Sequence, residues 1–297
     1  ISRDYARQHL TQGVWISVTQ IGQVMLTGTE LIIIGKLVGP AAVVVYACTN
    51  KLIGVLANQP QMVMQAASPA LSELRVSESG QRVFQVWSTL SLAMLTLSGL
   101  VVFVVLTVNE GFVNWWIGNS QFGGYGLTIL LLLTMMLRHW NLTWIYALIC
   151  FGRERLVSIV NLTDGLVTIL GTIGLVYAFG LKGAPLASIL GVCLISQPCY
   201  FRALIAETKV SPLTLLGLIW PWLQRFIGLI IAGTLLRRYW VPKTFAEIAV
   251  AGAATVLLYA IVMLPVVLRS DLGRYVRPKL GGMRSRFVRI RQSFGAA

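Results

Sequence analysis

Eight uninterrupted apolar segments, each of about 20 residues, dominate the chain and leave it few ways to fold. They run Val14–Ile34, Ala41–Val63, Val86–Val108, Tyr125–Cys150, Leu156–Ala178, Ala184–Leu204, Leu213–Leu236 and Phe245–Leu268. At about 1.5 Å per residue, each can cross a hydrocarbon core of about 30 Å as a helix. In lipid every backbone N–H and C=O must be satisfied within the protein, which leaves only helices and closed barrels. A barrel needs short strands that alternate apolar and polar residues, whereas these runs are continuously apolar. The expected fold is an all-α polytopic membrane protein with about eight transmembrane helices. Composition agrees: 56% of the 297 residues are hydrophobic, mean hydropathy is +0.76, and 11% are charged, against roughly 25% in soluble domains.

A net charge of +14 and a pI near 10.2 would suit nucleic-acid binding, but the basic residues sort by membrane side instead. Arg3, Arg7, Arg75, Arg82, Arg153, Arg155, Arg202 and Lys209, with a tail of Lys and Arg after Leu268, fall on one side. Lys36, Lys182 and the group Arg237, Arg238 and Lys243 fall on the other. The positive-inside rule then places both ends in the cytoplasm, and no nucleic acid is expected as a partner. The loop after the seventh segment runs against the bias, and Pro221, between Trp220 and Trp222, leaves two readings of that segment. It is one helix with Arg225 near its centre, or an interfacial helix that ends at Pro221 with the span beyond it. The affinity of Trp and Arg for headgroups favours the second. The tail reads as a solvated anchor on anionic membrane lipids.

Cys48, Cys150, Cys193 and Cys199 lie within or at the ends of apolar segments without a CxxC pair, and His9 and His139 are the only histidines. No disulfide frame, metal site or cofactor is expected. No enzymatic activity is expected either, since the longest outer loop, Asn109–Gly124, offers Glu110 as its one acid.

The segments carry polar stripes. Ser17, Gln20, Gln23, Thr27 and Glu30 recur at spacings of 3, 3, 4 and 3, one face of a helix. Lys51, Gly54, Asn58, Gln61 and Gln65 form a similar stripe in the second segment, where Pro60 predicts a kink. The fourth segment holds Thr134, Arg138 and Asn141 beside His139, and the fifth holds Asn161, Asp164, Thr168 and Gly171. The sixth shows small residues, Ala184, Ser188 and Gly191, suited to close packing. A charge at a helix centre costs roughly 2.5 to 3.5 kcal/mol on insertion scales. Glu30, Lys51, Arg138 and Asp164 are therefore expected to face one another or a water-filled interior. Glu30 and Lys51 flank a short loop and either form a salt bridge or line the cavity. Lys51 and Arg138, with Arg225 and a protonated His139, are candidates for a cationic patch that binds phosphate. Glu30 and Asp164 are candidates for proton or sodium coupling, with Gln23, Asn58, Asn141 and Asn161 as polar lining.

The run Glu30-Leu-Ile-Ile-Ile-Gly-Lys-Leu-Val-Gly, followed by Val45-Tyr46-Ala47 and Asn50-Lys51-Leu52, resembles a signature of polysaccharide (O-antigen) flippases. Those proteins belong to the multidrug/oligosaccharidyl-lipid/polysaccharide exporter superfamily. Ser68-Pro69-Ala70-Leu71-Ser72, Gly152-Arg153 and Gly180-Leu181-Lys182-Gly183-Ala184-Pro185 add matches in the same order. The resemblance covers Gly13 to roughly Leu204, with Glu30 standing where the family usually has Asp.

What the resemblance implies is a V-shaped transporter of two six-helix lobes working by alternating access. Its substrate would be an undecaprenyl-pyrophosphate-linked oligosaccharide, turned across a bacterial inner membrane through a cationic cavity. On that reading residues 1–12 are a cytoplasmic linker, 13–206 one six-helix lobe, 207–268 two additional helices and 269–297 a basic cytoplasmic tail. The chain, which starts without methionine, would be the C-terminal portion of a longer protein whose N-terminal lobe supplies the other cavity wall. A multidrug/toxin extrusion antiporter on the same scaffold is the alternative, although Lys51 and Arg138 would be unfavourable to its cationic compounds. A membrane polysaccharide polymerase or ligase is a remoter one, since such enzymes need a substantial outer loop carrying catalytic residues.

Overall fold

A computed structural model describes residues 3–77, 80–271 and 273. The chain starts with α1 (Arg3–Thr27), which stops at Gly28 and Thr29 and resumes as the short α2 (Glu30–Leu37). A tight turn then leads into α3 (Pro40–Ser77). The N–H groups of Val38 and Gly39 both donate to Ile34 O, at 2.9 and 3.2 Å. Gly39 takes a φ of +118° that side chains rarely adopt, and Pro40 opens the next helix with its φ already fixed. Beyond these lie α4 (Gly80–Ile117), α5 (Tyr125–Cys150) and α6 (Glu154–Phe179). α7 (Gly183–Gly191) passes through a π-helical turn, Val192–Ser196, directly into α8 (Gln197–Thr208). α9 (Pro212–Tyr239) and α10 (Phe245–Arg269) complete the described chain.

Every apolar segment of the sequence is thus helical, and among the described residues there is no strand: this is an all-α polytopic membrane protein. Among the described residues six stretches are long and apolar enough to cross a membrane, one of which, Glu154–Thr208, runs over α6, α7 and α8. Arg138, His139 and Asn141 dilute the hydropathy of α5, which is not among the six.

α4 is the hub, packing against α3, α5, α9 and α10. Small residues make the close approaches. Gly99 leaves room for Tyr259, Phe226 and Trp222, and the Tyr259 hydroxyl donates to Thr96 O at 2.7 Å. α1 lies on α6 where Gly22 meets the backbone of Asn161 and Gly165 meets Met25. At one end of the bundle, buried Asn109 donates to Thr49 O at 3.0 Å and Thr128 Oγ1 at 3.3 Å, tying α3, α4 and α5 together.

Two expectations about connections change. α4 continues to Ile117, so the outer connection shrinks to residues 118–124, and Trp115 and Trp116 sit on the helix end. The seventh segment is one continuous helix through Pro221, not an interfacial helix followed by a span. Pro221 sits inside α9, which packs against α4 and α10. Arg237, which ran against the positive-inside bias, is not a free surface charge. It ion-pairs with Glu110 and lies 3.5 Å above the Tyr125 ring. The basic tail beyond Gly273 and the chain's first two residues lie outside the described residues.

Candidate functional site

Two cavities follow one another along a cleft between α1 and α3, whose floor is α5 and α6. The first, of about 300 Å³, is lined by Gln23, Glu30, Tyr46, Asn50, Gln61, Thr134, Arg138, His139, Asn141, Asn161 and Ser188 among others. The second, of about 490 Å³, shares Gln23, Gln61, Leu142 and Ile145 with it and extends past Gln20 and Gln65 to Glu154. The helices carry these side chains at helical spacing: Tyr46, Asn50, Ile53, Ala57 and Gln61 form one stripe of α3.

Arg138 reaches Asp164 across the cavity floor with a forked pair of hydrogen bonds, at 2.5 and 3.1 Å. Its remaining donors go to Ser188 Oγ, Ser188 O and Thr168 Oγ1. Asp164 is fully buried and also accepts from Thr168 and, at 2.5 Å, from Ser196. The π turn at Val192–Ser196 is what delivers Ser196 to this carboxylate, and Gly191 is what lets α7 come so close: a Cβ there would collide with Asp164 Oδ1 and Thr168 Oγ1. A buried carboxylate met by a forked arginine and two hydroxyls is the arrangement that tolerates desolvation, while Arg138, with 19% of its side chain exposed, still borders the cavity.

Glu30 sits at the first residue of α2, lines the same cavity and accepts a 2.8 Å hydrogen bond from Tyr46. The described ion pairs are Arg138–Asp164, Arg153–Glu207 and Arg237–Glu110, so Glu30 and Lys51 do not form one. His139 is buried with Ser98 at 2.7 Å from Nδ1 and the Gln61 amide nitrogen at 3.3 Å from Nε2. Both ring nitrogens of His139 are thus engaged by neighbouring polar side chains.

The structure therefore brings together Gln23, Glu30, Arg138, Asn141 and Asn161 around one cavity, with Asp164 directly behind it. It does not bring Lys51, Asn58 or Arg225 there. Lys51 and Asn58 are exposed on the neighbouring flank of α3, and Arg225 lies on α9, with its guanidinium 3.5 Å from Pro221 O. Of Lys51, Arg138 and Arg225, Arg138 lines the cavity, paired with Asp164, and the other two are not among its lining residues. Asn50 and Ser196 join the site without having been expected. Asn50 could have been found from its i+4 relation to Tyr46 and Gly54; nothing in the sequence marks the π turn that places Ser196.

Comparisons with protein-family models, with curated proteins and with solved structures find no match to this chain.

Proposed function

We propose that the chain is one wall of a membrane transporter that turns a lipid-linked oligosaccharide across a bacterial inner membrane by alternating access, serving the synthesis of a surface polysaccharide. The observation that carries this reading is the polar cleft itself. It lies between helices of the bundle, sets amides and hydroxyls among apolar side chains, and opens between α1 and α3 instead of being closed by them. An interior of that kind serves passage of a hydrophilic group and is of no use to a protein that merely packs in lipid. The resemblance of Glu30–Gly39 and Tyr46–Lys51 to the flippase signature falls on the helices that border the cleft. In this reading the opposite wall is the other lobe of the transporter, and the chain carries out no covalent chemistry.

Export of cationic compounds is the second reading, and one observation favours it. With Arg138 neutralised by Asp164 and Lys51 outside the cavity, the remaining charge facing the cavity is the Glu30 carboxylate. Deleting the gene in its host separates the two. The flippase reading expects loss of surface polysaccharide and accumulation of the lipid-linked precursor, with drug tolerance unchanged. Intact polysaccharide together with sensitivity to cationic drugs would reject it in favour of the exporter.

A further inference from the structure

The second cavity is built differently from the first. Four glutamines line it, Gln20 and Gln23 three residues apart on α1 and Gln61 and Gln65 four apart on α3, so that each helix turns a pair of amides to the same space. Gln61 is engaged with His139 at 3.3 Å, whereas Gln20 and Gln65 are exposed and open to a ligand. A primary amide sets an acceptor beside two donors, and a hydroxyl both donates and accepts. Amides on the two walls of a cleft therefore suit a ligand that carries several hydroxyls. Half-buried Tyr146 and apolar side chains of α5 form the floor between those walls. An aromatic ring beside amides fits a ligand with a polar rim and an apolar face, which is the make-up of a sugar ring. Among the described residues no Lys or Arg lines this cavity, and Glu154, the first residue of α6, is its one charged side chain. The basic residues on either side of Glu154 are held elsewhere, Arg153 by Glu207 at 2.6 Å and Arg155 over the Trp15 ring. At about 490 Å³ the cavity is within the range of small-ligand sites and larger than the first.

We propose that the second cavity is a binding site for a neutral, hydroxyl-rich sugar ring, held by the amides of Gln20 and Gln65 from the two walls and resting on Tyr146. This rests on the transport reading only for the source of the sugar, one ring of the oligosaccharide. The test is saturation-transfer NMR on the full chain, in a zwitterionic detergent without a sugar headgroup. The probes are glucose, galactose, mannose and N-acetylglucosamine, free and as alkyl glycosides, with glucuronate as the charged counterpart. At least one neutral sugar or glycoside should bind, and more tightly than glucuronate does. Gln20→Leu and Gln65→Leu, which keep the bulk of side chains that are already exposed, should each weaken that binding about fivefold to tenfold, the effect of one lost hydrogen bond. Asn58→Leu, exposed on the neighbouring flank of α3 and outside the cavity, should leave it unchanged. The absence of binding by every sugar and glycoside would make the cavity a water-filled vestibule and overturns the proposal without any variant having to fold. Glucuronate binding as tightly as the best neutral sugar overturns it as well, and so does the same affinity in Asn58→Leu and both glutamine variants. Failure here would leave the deletion phenotype untouched, whereas sugar binding in a protein whose loss spares surface polysaccharide would keep the site and reject the flippase.

Discussion

The guanidinium of Arg138 is paired with a buried carboxylate, and this changes what removing it should do. A free cationic residue in a transport cavity would be replaceable by alanine at the expense of ligand binding alone. A residue that neutralises a fully buried carboxylate is not, because Arg138→Ala strands the Asp164 charge among Ser196, Thr168 and apolar neighbours. Breaking a buried pair from one side destabilises by about 3–5 kcal/mol, whereas replacing both partners with apolar residues is often near neutral. Arg138→Ala and Asp164→Leu should each lower the melting temperature of the purified protein markedly, and Arg138→Met combined with Asp164→Leu should lose much less than the sum of its single changes. A double variant as damaged as that sum would show that the two residues act independently. The sequence placed both residues on inward stripes and required their charges to be compensated. It left their pairing open because they stand 26 positions apart on different helices, and whether the two stripes meet depends on the rotation of α5 against α6.

At the scale of elements, the helices were legible from the runs of apolar residues alone, because length and hydropathy in lipid admit little else. The irregularities were not. The break at Gly28 and Thr29, the π turn at Val192–Ser196 and the continuity of α9 through Pro221 all depend on neighbours that a single segment does not reveal. Gly191 illustrates this, since in sequence it is one of several small residues suited to packing, whereas in the fold it is the contact that lets α7 bring Ser188 and Ser196 to the charge pair. Gly191→Val should force α6 and α7 apart at a loss of about 1–3 kcal/mol, the usual range for overpacking. Gly252→Ala, on α10 with open space around it, should be neutral or stabilise by about 0.5–1 kcal/mol, the helix preference of alanine over glycine. Thermal melting of the two variants compares them directly, and equal losses would place Gly191 in no special contact.

The little-buried helices differ in what they expose. α1 and α3 present Ser17, Gln20, Lys51, Asn58 and Gln65 to the outside alongside apolar Val14, Ile21, Val24, Val55 and Met62. α10 is also little buried, at 28%, but what it exposes is Val250, Leu257 and Ile261. An exposed apolar face at membrane depth is satisfied by lipid. Exposed amides and a lysine at the same depth are not, at about 2.5 to 3.5 kcal/mol for a lysine at the helix centre on insertion scales. The α1 and α3 face must therefore meet water or another protein surface, while the α10 face meets acyl chains. In a chain whose four native cysteines are replaced by alanine, single cysteines at Gln20, Asn58 and Gln65 should react with a hydrophilic maleimide in native membranes. Cysteines at Leu257 and Ile261 should stay unmodified until detergent is added. Slow labelling at Asn58 with fast labelling at Gln20 and Gln65 would mark where a protein partner covers the face. Labelling of Leu257 and Ile261 as fast as Gln65 would mean that the two faces are not distinguished by lipid at all.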